Sequence, residues 1–373
     1  PLPDDGAAVL PTTEPLFVSE GEATMFAGQP IGVIVANSRA LAEKAALAVV
    51  ITYTAALTAA ILTLPSAIAA KSFQSTDFGS QTIESGDVNA ALASAPKKVT
   101  ATLSTFGMRH FTMEAQTALA YSDEGRHVVF TSSQNPDGAR RAVARVLGVS
   151  GAAVSVKMRR AGGAYGSKLT RSLPIAAAVA VASDSIGAPV KMQCDMSTQM
   201  RLFGGRHPIQ AEYTVGFTAS GQILAVDLAT YFDGGAYLDT SIDSVQEFQR
   251  AVDGVTFWPT FRAVATLCRT NSAPRTSCRA PGHMTASYVS ETIVERVAQE
   301  CGLDVNGVRL ANMYTARNCI TPFGEFVDGY PRMLQVWAQL HTSADWDARV
   351  AAAKAFNAAN KWRKRGISQQ AVK

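Results

Sequence analysis

Charge is scarce in this chain. Of its 373 residues only 17% are Asp, Glu, Lys or Arg, and the net charge is +4. Such a balance excludes the self-repelling composition of a disordered protein, and a hydrophobic content of 47% supplies a core instead. Basic residues are scattered except at Arg363 to Arg365, a solvated loop face, so no nucleic-acid partner is implied. Cysteine is sparse too: Cys194, Cys268, Cys278, Cys301 and Cys319 are odd in number and widely spaced. None forms CxxC, which removes iron–sulfur and structural zinc spacings and leaves reduced, mostly buried thiols in a cytoplasmic protein as the expectation. No uninterrupted apolar run is long enough for a membrane span. The richest stretch, Ala55 to Ala70, is broken by Thr63, Pro65 and Ser66 and reads as buried strand and turn. No charged-then-apolar leader opens the chain, and a start at Pro1 implies a native start elsewhere.

The length calls for two or three units. In residues 1–70, strand Ile31–Ala36, a helix opened by Ser38 and strand Val50–Tyr53 form a β-α-β pattern. Residues 71–96, with turns at Phe78-Gly79-Ser80 and Glu84-Ser85-Gly86-Asp87, read as a linker. From 97 to 373 strands and helices alternate, including a hairpin over Ile209–Asp233 and helices over His283–Cys301 and Met333–Phe356. α/β segments with segregated hairpins make the class α+β.

Three stretches carry chemistry. Arg159-Arg160-Ala161-Gly162-Gly163-Ala164-Tyr165-Gly166-Ser167-Lys168 joins the strand Val154–Met158 to an apolar helix. Its glycines permit positive φ and bring bare amides close to an oxygen-rich ligand. The spacing is neither GxGxxG nor a P-loop. Upstream, Phe130-Thr131-Ser132-Ser133-Gln134-Asn135-Pro136 ends a strand at a helix start, where Asn135 caps, Pro136 opens and Gly148 stops the helix. Gln134 there can donate one hydrogen bond and accept another. The third stretch runs from Cys268-Arg269-Thr270-Asn271 to Ser277-Cys278-Arg279-Ala280-Pro281-Gly282.

In this order these stretches resemble the molybdenum-binding domain of the xanthine dehydrogenase/aldehyde oxidase family, the molybdenum hydroxylases. Gly28-Gln29-Pro30-Ile31-Gly32, His110-Phe111-Thr112-Met113-Glu114-Ala115-Gln116-Thr117, Gly204-Gly205-Arg206-His207-Pro208 and Asn360-Lys361-Trp362-Arg363-Lys364-Arg365-Gly366 resemble further tags of that family. The resemblance implies that residues 1–70 are the end of an α/β hammerhead subdomain. Residues 97–373 would then be the first half of the molybdopterin-binding domain, within a fragment of a longer enzyme. It implies an oxidoreductase that converts aldehydes or N-heterocycles with water as oxygen source. Electrons would pass to 2Fe-2S clusters and FAD in domains elsewhere, in a cytoplasmic homodimer.

On the same resemblance Gln134, Gly163, Ala164, Tyr165 and Arg279 contact molybdenum-molybdopterin, with no direct protein ligand to the metal. The general-base glutamate is expected beyond Lys373, which leaves Glu114 as structural. His110 and His207 are likewise expected to be structural. Substrate-facing positions depart from purine oxidisers: Leu169 stands for a glutamate, Glu247 for an arginine and Pro281 for a stacking phenylalanine. An apolar funnel suits aldehydes, and the CRAPG and GGAYGSK spellings resemble aldehyde oxidases more than xanthine dehydrogenases. Two other readings stay open: a xanthine dehydrogenase, and a non-catalytic truncated relative acting as an interaction module.

Overall fold

A computed structural model describes residues 14–54, 59–74, 80–321 and 324–372. Its α+β architecture is organised by two sheets. The larger has strand order β1-β9-β8-β7-β2, with β1 Ser80–Ser85, β2 Lys97–Thr105, β7 Ile209–Phe217, β8 Ile223–Asp233 and β9 Thr260–Cys268. Its β8–β9 pair is parallel and its other pairs are antiparallel. The smaller sheet runs β5-β4-β3-β6, with β3 Thr117–Asp123, β4 Arg126–Thr131, β5 Val154–Lys157 and β6 Val190–Gln193. Here β4 and β5 are parallel.

Each sheet buries one apolar core under helices. Helices Ser241–Ala251 and His283–Cys301 lay Val245, Phe248, Val289, Ile293 and Val297 against the large sheet. Each such side chain contributes roughly 1.5–3 kcal/mol on leaving water. Over the small sheet lie helices Pro136–Leu147 and Ser172–Ile186. The second is alanine-rich and buried on nearly every face, so its backbone can approach the strands closely. Capping of the first follows the sequence: Asn135 accepts from the Gly138 amide and Gly148 stops the helix at φ 67°.

Several expectations fail locally. Helix Arg39–Leu47 forms on its Ser38 cap, but Ile31–Ala36 and Val50–Tyr53 pair with no strand among the described residues and are mostly exposed. A strand needs a ladder partner, whatever its side chains prefer. In Ala55–Ala70, residues 55–58 lie outside the described set, and Leu64–Ala69 is a helix, capped by Thr63 with Pro65 in its first turn. The stretch 71–96 holds β1 and a helix, Val88–Ser94, capped by Asp87; Phe78 and Gly79 lie outside the described residues. The single helix expected over Met333–Phe356 is two, Tyr330–Ser343 and Trp346–Ala359, divided where Asp345 takes φ 49°. That residue starts a new helix instead of continuing the old one.

Candidate functional site

Parallel pairing of β4 and β5 sets their carboxyl ends side by side. The stretch after β4 carries Gln134 and the stretch after β5 is the glycine turn, so the two meet at one edge of the small sheet. Such an edge is where open α/β sheets place ligands. The Gly166 amide donates to Gln134 Oε1 at 3.1 Å, and the Gln134 amide donates to the Lys168 carbonyl at 2.9 Å. Because an amide N–H needs an acceptor, this contact fixes which side-chain atom is oxygen. Gln134 Nε2 is thereby a donor, and it has no acceptor among the described residues.

The third stretch closes on the same turn. The Arg279 amide donates to the Tyr165 carbonyl at 2.9 Å. A Cβ on Gly166 would stand 2.2 Å from the Ser277 carbonyl oxygen, so only glycine permits this approach. His110 Nε2 hydrogen-bonds the same Ser277 carbonyl at 2.7 Å, and burial pushes its pKa down. The buried Arg206 guanidinium donates to the carbonyls of Arg279 and Ala280. Behind the turn, Asp239 accepts from Thr170 and Thr276 and pairs with Arg171, binding the two sheet units together. Buried between carboxylates, the Arg171 guanidinium has its pKa raised against the cost of desolvation by Asp239 and Glu14.

What remains uncommitted is informative. Among the described residues the amides of Gly163, Ala164 and Tyr165 have no acceptor. Three successive donors and Gln134 Nε2 lie in one neighbourhood, joined through Gly166, at an accessible surface where Tyr165 is 45% exposed. This fits an oxygen-bearing, anionic group that is held by hydrogen bonds. The structure brings Gln134, Gly163, Ala164, Tyr165 and Arg279 together, although the Arg279 side chain is exposed and only its backbone joins the turn.

Of the substrate-facing positions, Leu169 lies half-buried in the short helix Ser167–Thr170 that continues the turn. Pro281 is half-buried in the third stretch. Glu247, on helix Ser241–Ala251, is held by Arg250 at 2.9 Å and His283 at 3.0 Å. It adjoins that stretch, since a Cβ on Gly282 would meet the Glu247 carbonyl carbon at 2.6 Å. His207 is buried and bonded to Ser241. No local pattern announces the contacts made by Lys168, Arg206 and Asp239. A Lys next to glycines looks like a solvated charge, yet Lys168 is fully buried.

An α+β framework presenting fixed, unpartnered amides at a strand–turn–helix edge defines a cofactor-binding domain. The chain belongs to the molybdopterin cofactor-binding domain family, whose pattern matches residues 72–313. Among curated relatives, aldehyde oxidase 4 of Arabidopsis thaliana is 34% identical over 354 residues, 93% of this chain and 26% of that protein. Nicotinate hydroxylase of Emericella nidulans is 32% identical over 360 residues, 95% of this chain and 26% of that protein. The chain thus spans about a quarter of the length of these relatives. Among solved structures, quinoline 2-oxidoreductase from Pseudomonas putida 86 superposes with TM-score 0.80 at 22% identity, over 94% of this chain and 46% of that one. Aldehyde oxidoreductase from Desulfovibrio gigas gives TM-score 0.76 at 22% identity, over 86% of this chain and 35% of that one. These two likenesses confirm the fold. Among the described residues no helix is long and apolar enough to cross a membrane.

Proposed function

We propose that this chain is the cofactor-holding part of a molybdenum hydroxylase that oxidises aldehydes to acids. The observation that carries the reading is the Gly166–Gln134 hydrogen bond, which engages Oε1 and leaves Nε2 uncommitted next to a turn with three uncommitted amides. When bound, the molybdopterin group supplies a two-electron oxidation with water as oxygen source. This chain's residues supply position. Gln134 Nε2 would donate to an oxygen of the group, and the amides of Gly163, Ala164 and Tyr165 would hold its pterin part. Arg279 ties the cradle to the third stretch through its backbone. In the longer protein a glutamate beyond Lys373 serves as base, and 2Fe-2S clusters and FAD carry electrons away. Residues 1–70 form the end of a hammerhead subdomain in that assembly, a cytoplasmic homodimer.

Substrate choice follows from Leu169, Pro281 and Glu247. Leu169 and Pro281 can neither hydrogen-bond nor stack on a purine, whose polar edges would stay unpaired at roughly 1–3 kcal/mol per group. Glu247, which stands for an arginine and is paired with Arg250 and His283, offers no cation to orient a purine. A neutral aldehyde asks only for an apolar channel. Steady-state assays of the full-length enzyme with benzaldehyde and xanthine test this. The expected preference in kcat/KM for benzaldehyde is at least about a hundredfold, and comparable efficiency on xanthine would overturn the aldehyde assignment.

A further inference from the structure

Glu114 and Lys168 lie 54 positions apart in sequence and meet at the root of the glycine turn, with Lys168 Nζ donating to Glu114 Oε2 at 2.5 Å. The same carboxylate oxygen accepts from Ser132 Oγ at 2.5 Å and from the Gly162 amide at 2.8 Å. In return the Glu114 amide donates to the Gly162 carbonyl at 3.0 Å. The two backbones are so close that a Cβ on Gly162 would lie 2.5 Å from Glu114 Cβ. Lys168 Nζ also donates to Ser132 Oγ, at 3.1 Å. Its carbonyl accepts from the Gln134 amide and from the hydroxyls of Ser133 and Ser172.

The turn is therefore gripped at both ends by one ion pair. Glu114 holds Gly162, where the turn begins, and Lys168 ends it while fixing the Gln134 backbone. Between these anchors lie the three amides without acceptors. An amide that awaits a ligand cannot be held by its own hydrogen bond, so its direction must be set by the residues flanking it. Lys168 is fully buried, and a buried ammonium with a carboxylate and a hydroxyl partner resists displacement, because parting them leaves an unpaired charge out of water. Burial alone would push the Glu114 carboxyl up, but donation from Lys168, Ser132 and Gly162 outweighs it and holds the carboxyl below its ordinary range.

We propose that Glu114 and Lys168 are positioning residues: their ion pair, closed by Ser132, presets the amides of Gly163 to Tyr165 and the side chain of Gln134 for the molybdopterin group. This rests on the cofactor reading above. Neither residue touches the group; both act through the turn.

The test uses the full-length enzyme with Ser132→Ala, which removes one hydroxyl and little volume, and the charge-neutral double variant Glu114→Gln/Lys168→Met. Hydrogen exchange is read at the bonded amides of Gly162, Gly166 and Gln134, with Val129 and Ala176 as core controls. Pterin and molybdenum content and the molybdenum(V) paramagnetic resonance of the reduced enzyme are measured beside it. Expected are at least about tenfold faster exchange at the three amides, unchanged core exchange, a broadened resonance in Ser132→Ala and substantial loss of cofactor in the double variant. Unchanged exchange at Gly162 and Gln134 would overturn the latch. Faster exchange with full cofactor content and an unaltered resonance would overturn its service to the cofactor. If the double variant does not fold, Ser132→Ala decides by the same criteria. Failure of the cofactor reading itself is distinguishable, because the unaltered enzyme would then carry no molybdopterin.

Discussion

The amide of Arg279 donates to the carbonyl of Tyr165 at 2.9 Å, so the third stretch and the glycine turn form one surface although they belong to different sheet units. That hydrogen bond needs the backbones to pass closely, and Gly166 is what lets them.

Gly166→Ala should separate the two stretches. Its Cβ would sit 2.2 Å from the Ser277 oxygen, and φ of 99° disfavours any side chain. Backbone strain alone costs about 1–2 kcal/mol, and relief of the clash would move the turn off Arg279. Thermal denaturation of the full-length variant should give a lower melting temperature, and metal analysis a lower molybdenum content. Wild-type values in both would show that the contact between the stretches is dispensable.

Gln134→Ala removes a donor and the acceptor of the Gly166 amide while leaving the core untouched. Turnover should fall by about tenfold to a thousandfold, the range for losing one oriented donor. Melting temperature should change little, since Gln134 is exposed and one hydrogen bond contributes only about 1 kcal/mol. Intact activity would refute the role of Nε2.

His207 makes stability depend on pH. Burial, reinforced by Arg275 and opposed by Asp233, pushes its pKa down to about 4. The unfolded chain takes up this proton near pH 6.5, whereas the folded one waits until near 4. The stability of the neutral, buried form is therefore full above 6.5 and is lost as pH falls from there toward 4, by an amount on the order of 3 kcal/mol. His207→Gln should flatten this part of the stability–pH curve measured by denaturant titration. An equally steep curve in the variant would assign the dependence to other groups.

Much of this was legible because it is local. Asn135, Pro136 and Gly148 mark their helix, Gly302 ends another, and the hairpin of β7 and β8 announces itself by alternation around Ala219-Ser220-Gly221. Elements whose evidence is non-local were not. Strand β9 gains its place from parallel pairing with β8, and β1 from pairing with β9. The Ser241–Ala251 helix did carry a signal, Ser241, Val245, Phe248 and Val252 recurring on one face, which could have found it. At the site, the residues that present groups to a ligand were readable from motif and resemblance. The residues that hold them were not: Arg206 acts through carbonyls more than seventy positions away, and the Glu114–Lys168 pair exists only once β3, β4 and β5 lie side by side.

The central claim is that the amides of Gly163 to Tyr165 hold molybdopterin, and Gly163→Val in the full-length enzyme tests it most directly. Within the chain itself the three heavy atoms nearest the new Cβ all belong to the Tyr165 side chain, 3.4–3.7 Å away. The cost there is the positive φ of 94°, a conformation a β-branched residue rarely adopts, of about 1–3 kcal/mol. Outside the chain, the side chain would fill the space over the amides that the pterin needs. Molybdenum and pterin content should be measured on protein whose circular dichroism matches the unaltered enzyme. The account predicts folded protein with little or no cofactor; a folded Gly163→Val protein with the normal complement of molybdenum would contradict it.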